Sequence, residues 1–153
     1  MTAIRRWVLV SACVFALAAC QQQESPEEVR EDVAEKQREG AESVTDARED
    51  VRETAADARK DVAEAVREGD SEDVVDAQAE GTRDLADARY QESVARAEAD
   101  YKVALELCDG LPVEQQPSCE QSAERSYEAA KDAAEVLRKT RTEAADVAQD
   151  EYD

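Results

Sequence analysis

The sequence predicts an all-α protein: a long charged helix followed by an antiparallel, coiled-coil-like helical hairpin. Composition is the first reason. Beyond residue 19 the chain carries thirty-nine acidic and seventeen basic residues, a net charge of -22, and no His, Asn, Met, Trp, Phe or Ile. Ala, Glu, Arg, Lys and Gln are strong helix formers. The second reason is punctuation: Gly69-Asp70 and the stretch 109–118 cut the body into three segments. The third is size. Five Leu, thirteen Val, four Tyr and abundant Ala are the apolar inventory of this body. Stabilisation scales with buried apolar area at roughly 25 cal/mol per Å², so these small side chains suit narrow helix–helix seams better than a deep core.

Residues 1–19 precede this body and differ from it. Arg5 and Arg6 lead into an apolar run from Trp7 to Ala19, broken by Ser11 and Cys13. A helix needs about twenty apolar residues to span a bilayer, so this run is too short. A basic flank, a short apolar region and small residues at its end are the parts of an export signal. The signal ends in Leu17-Ala18-Ala19-Cys20, which resembles the lipobox of bacterial lipoproteins. The resemblance implies cleavage between Ala19 and Cys20, a diacylglyceryl thioether on Cys20 and acylation of its new amino group. Two or more acyl chains anchor firmly where one is marginal. Among Gram-negative lipoproteins the residue after the cysteine influences sorting. Here it is Gln21 and not Asp, which implies the outer membrane, facing the periplasm, over inner-membrane retention.

Residues 20–25 read as a polar tether. Ser25, Pro26 and Glu28 then form a helix start, with Ser25 at the N-cap and Glu28 completing a capping box. The first helix is expected over 26–68, with Gly40 a tolerated weak point. Within it "TDAREDVRETA" (45–55) is echoed by "ADARKDVAEAV" (56–66), which superposes Asp46 on Asp57, Ala47 on Ala58 and Val51 on Val62. Eleven residues over three turns is 3.67 per turn, the repeat of a straight or slightly right-handed helix. Such repeats are similar to those of stress-protective and apolipoprotein-like helices. Acidic residues lie three before basic ones at Glu27/Arg30, Glu35/Arg38, Glu49/Arg52, Asp57/Lys60 and Glu64/Arg67. Each such pair adds about 0.2–0.5 kcal/mol of helicity.

The hairpin is expected over 71–150. Its first helix starts near Ser71 or Glu72 and ends near Cys108, where Asp109-Gly110-Leu111-Pro112 is a stop signal with Gly110 able to turn left-handed. Its second helix starts at "PSCEQ", capped by Ser118 with Gln121 three residues on, and runs toward Gln149.

Cys13 leaves with the signal and Cys20 is the lipidation residue, so Cys108 and Cys119 remain, flanking the turn. In an exported chain they are expected to form a disulfide that closes the hairpin tip. A metal site lacks further thiolates, and the chain has no histidine. If Cys108 faces Cys119, the numbers of facing residues sum to 227. The seam Tyr90, Val94, Ala97, Tyr101, Ala104, Cys108 then meets Leu137, Ala133, Ala130, Ser126, Ala123 and Cys119, with steps alternating four and three. The block 101–134 resembles a recurrent two-cysteine module of small proteobacterial envelope proteins, at Tyr101, Ala104, Cys108, Asp109, Cys119, Ala123 and Tyr127. That resemblance implies compartment and hairpin and supplies no activity.

No catalytic chemistry is legible. Without histidine the commonest general base is missing, and carboxylates on exposed helices lack the burial that shifts a pKa. There is no phosphate-binding glycine loop, and "GDSED" lacks calcium-loop spacing. The expectation is therefore no catalytic residues, no cofactor and no metal site, with calcium or magnesium held only as an ion atmosphere. The negative charge disfavours nucleic acid and anionic lipid headgroups, since like charges repel. These observations point to a non-enzymatic lipoprotein acting as an acidic helical spacer or interaction scaffold, with the membrane and a basic envelope protein as partners. The alternatives are a stress- or desiccation-protective helical protein, or an adaptor or inhibitor subunit of an envelope complex.

Overall fold

A computed structural model describes residues 24–152. The chain is all-helical there: α1 spans Pro26–Glu68, α2 Ser71–Asp109 and α3 Gln116–Asp150. The start of α1 forms as its residues dictate. The Glu28 N–H donates to Ser25 Oγ at 3.3 Å, and the Ser25 N–H donates to Glu28 Oε2 at 2.9 Å. Gly69 ends the helix at φ 82°, a left-handed conformation that costs Gly little, and its N–H donates to the Ala65 carbonyl. Asp70 then caps α2 by accepting from the Glu72 N–H at 3.0 Å.

α2 is the central helix. α1 and α3 each pack on it, and the backbones of α1 and α3 do not meet. The first helix thus lies along the hairpin as part of one antiparallel layer. A Cβ on Gly40 would meet Ala99, one on Gly81 would meet Ala58, and one on Gly110 would meet Val29. The numbers sum to 139 in each pair, so one register holds from end to end. Gly40 is therefore no weak point. It is buried, and a Cβ there would stand 2.5 Å from that of Ala99.

The eleven-residue spacing extends over all three helices. Val29, Gly40, Val51 and Val62 on α1 are buried or half-buried. Ala86, Ala97 and Cys108 on α2, and Ala123, Ala134 and Ala145 on α3, are buried. A repeat of 3.67 residues per turn is close to the natural 3.6, so each stripe stays on one side of a nearly straight helix.

This spacing corrects the expected seam. The α2 side stands: Ala97 and Cys108 are buried, and Tyr90, Val94, Tyr101 and Ala104 are half-buried. On α3 the alternation of four and three drifts off the face. Ser126, Ala130 and Ala133 are exposed, and Leu137 is 61% exposed. Their places are taken by Tyr127, Lys131, Ala134 and Arg138, each one residue further on. Tyr101 stacks on Tyr127 with ring centroids 5.1 Å apart. Arg138 lies over the Tyr90 ring at 5.6 Å and pairs with Asp87 of α2 at 3.1 Å and Glu135 at 2.8 Å. The Arg138 guanidinium, then burial acting in the opposite sense, set the Glu135 carboxyl at about 2.

Three further expectations change. α3 begins at Gln116 with Gln115 at its N-cap, and Ser118 is no cap: its hydroxyl donates to the Gln115 carbonyl at 3.0 Å. Gly110 is right-handed, at φ -72°. Instead the turn is latched by Gln116, whose Nε2 donates to the carbonyls of Asp109 at 3.0 Å and Leu111 at 3.1 Å. None of the five expected acid–base pairs on α1 closes into an ion pair among the described residues. Arg48 reaches Glu92 of α2 at 3.0 Å, and Lys36 pairs with Glu39 at 3.1 Å. On a solvated face such pairs are worth little, and Arg38 donates instead from its Nε to the Ala34 carbonyl at 3.3 Å.

Candidate functional site

The beginning of α1, the end of α2 and the beginning of α3 converge at one pole. Val29 of α1 rests against Gly110, and Cys108 is joined to Cys119 with Cα atoms 5.6 Å apart. Cys108 is fully buried. The expected disulfide is thus present at the hairpin tip, and the tip lies beside the start of α1. α1 leaves this pole, turns at Gly69 and returns as α2, so the hairpin tip and the start of α1 share one end of the layer. Ala19 and Cys20 lie outside the described residues.

Next to the disulfide, carboxylate oxygens of Glu24, Asp32 and Glu106 lie within 4.8 Å of one another. Burial raises the Glu24 pKa above its ordinary 4.5, and the charges of Asp32, Asp109, Glu106 and Glu28 raise it further. Its Oε2 is buried without a hydrogen-bond partner. Glu28 responds the opposite way, because the Ser25 N–H and hydroxyl favour its charged form. Three convergent carboxylates are the donor type a hard divalent cation takes, with water completing the six to eight ligands calcium needs. The chemistry this donor set offers is cation binding.

Sequence reasoning missed this cluster, since its members come from the tether and two helices. The α1–α2 register is the signal that finds it. A constant sum of 139 places Asp32 opposite position 107, one residue from Glu106, but that sum rests on glycine contacts rather than on a motif.

Away from the pole, the two faces of the layer differ in charge. One α1–α2 groove is lined by Asp57, Asp61, Glu80, Asp84 and Asp87 and by no basic residue. A groove on the same pair of helices is lined by Arg59 and Arg89, is joined by Arg141 of α3, and has no acidic residue among the described residues. Among the described residues no helix is long and apolar enough to cross a membrane. Comparison with protein families, curated proteins and solved structures finds no match to this chain.

Proposed function

We propose that this chain is a non-enzymatic lipoprotein of the bacterial outer membrane, facing the periplasm, and that it acts as an acidic helical spacer or scaffold. The observation that carries the reading is Leu17-Ala18-Ala19-Cys20, placed at the end of a short export-type apolar run and six residues before a capped helix. A thioether at Cys20 would fasten the disulfide pole next to the lipid, because Glu24 and Ser25 lie there. The two free ends of the layer, the Gly69 turn and the end of α3, would then face outward. The eleven-residue stripes support a scaffold over a surface-induced protective helix, since they are used to pack the helices on one another. A partner drawn by the acidic face would be a basic envelope protein.

The test is mass spectrometry of the native N-terminus with fractionation of a Cys20→Ser variant. A mature chain beginning at an acylated Cys20, and release of the variant from salt-washed membranes, is the expected result. A free thiol at Cys20, or a variant that stays with the membrane, overturns the reading.

A further inference from the structure

The arginine-lined groove has a composition that runs against the whole chain. Beyond residue 19 carboxylates outnumber cations by more than two to one, yet this groove gathers three guanidiniums and no carboxylate. Arg59 comes from α1, Arg89 from α2 and Arg141 from α3, so all three helices contribute. None of the three has an ion-pair partner among the described residues, whereas Arg83 and Arg138 on the same layer pair with Asp146 and Asp87. Ala55, Val62 and Leu85 line the same groove and give it apolar surface.

We infer that this groove binds a single-chain anionic amphiphile, its charged head held by Arg59, Arg89 and Arg141 and its aliphatic stem laid along Ala55, Val62 and Leu85. Guanidinium forks match the two oxygens of a carboxylate, and charge-assisted hydrogen bonds of this kind are the strong ones. The net charge of the chain does not forbid an anion here. The Debye length is about 8 Å at physiological ionic strength, so exposed carboxylates farther than that are largely screened. The layered architecture makes the site: because α1 and α3 do not meet, both can wall a trough over α2. The assignment does not rest on acylation of Cys20.

Calorimetry tests it, using the full chain with Cys20→Ser and two probes below their micellar concentrations, dodecanoate and the uncharged dodecyl maltoside. Dodecanoate should bind one to one, at least tenfold more tightly than the uncharged probe. The combined Arg59→Gln, Arg89→Gln, Arg141→Gln variant should lose at least tenfold of that affinity. Arg52→Gln, which removes an equal charge outside the groove, should leave it unchanged. These arginines are on the surface, and a circular dichroism melt confirms that the variants keep their helices. Equal binding of the two probes, undiminished binding by the triple variant or no binding overturns the assignment. So does self-association through the groove, seen by sedimentation as dimers that the arginine substitutions dissociate.

Discussion

Gly40 and Gly81 act by what they lack. Each faces an alanine across the α1–α2 seam, Ala99 and Ala58, at a distance that leaves no room for a methyl group. Read along the helix alone, Gly40 is a defect, and Gly40→Ala should gain about 1 kcal/mol of helix propensity. The seam decides otherwise. A Cβ placed 2.5 Å from that of Ala99 cannot rotate away, because both atoms are fixed to backbone, so the two helices must separate. Overpacking of this kind costs about 1–3 kcal/mol. We expect Gly40→Ala to lower the urea midpoint, with a net loss of up to about 2 kcal/mol, and Gly81→Ala to do the same. A rise in midpoint would place the stabilisation in the single helix and not in the seam. The contrast with Ser25 shows what is legible at this scale. The capping box joins residues three apart and can be read directly, whereas the role of Gly40 depends on a partner fifty-nine positions away. The carboxylates of Glu24, Asp32 and Glu106 were hidden for the same reason.

At the scale of elements, the period of the apolar pattern decides which residues meet. The helices, their order and the cysteine link follow from local signals: caps, Gly69, and two cysteines on either side of a turn. The face of α3 does not. Counting forward from Cys119 by alternating fours and threes reaches Leu137, whereas one eleven-residue step from Tyr127 reaches Arg138. One residue on a helix is about 100°, enough to move Leu137 from seam to solvent. The 45–66 echo on α1 already carried the right period, and only the close approach of straight helices shows that it governs α2 and α3 as well. The backbone of α3 meets that of α2 alone, so its attachment relies on its buried alanines, the Tyr101–Tyr127 stack, the Arg138 and Arg83 pairs and the disulfide. The disulfide closes a loop across a sequence separation of 11. A loop of that size contributes about 3 kcal/mol in the chain-entropy model. Reduction should therefore lower stability by about that amount and raise amide exchange in α3 more than in α1. Uniform loosening of all three helices would mean that α3 is held as firmly by its seam as α1 is.

For the whole molecule, the antiparallel return of α2 along α1 sets the reach. A free α1 of forty-three residues carrying the hairpin at its far end would extend through two helix lengths. At 1.5 Å per residue that is about 120 Å. The folded layer is one helix long, about 65 Å by the same rise. It is also stiff, since α1 is matched to α2 from Val29 against Gly110 to Ala58 against Gly81. Charge opposes this compact form: a net -22 favours separation of the helices, and that repulsion is strongest in low salt. Small-angle X-ray scattering of the Cys20→Ser chain separates the two pictures. The layer predicts a maximum dimension of about 65–75 Å in physiological salt, a value that rises only if dilution of the salt lets α1 swing away. A dimension near 120 Å at every salt concentration would show that α1 and α2 stay apart in solution. The pole that joins Glu24 to the disulfide, and the trough walled by α1 and α3, would then both dissolve.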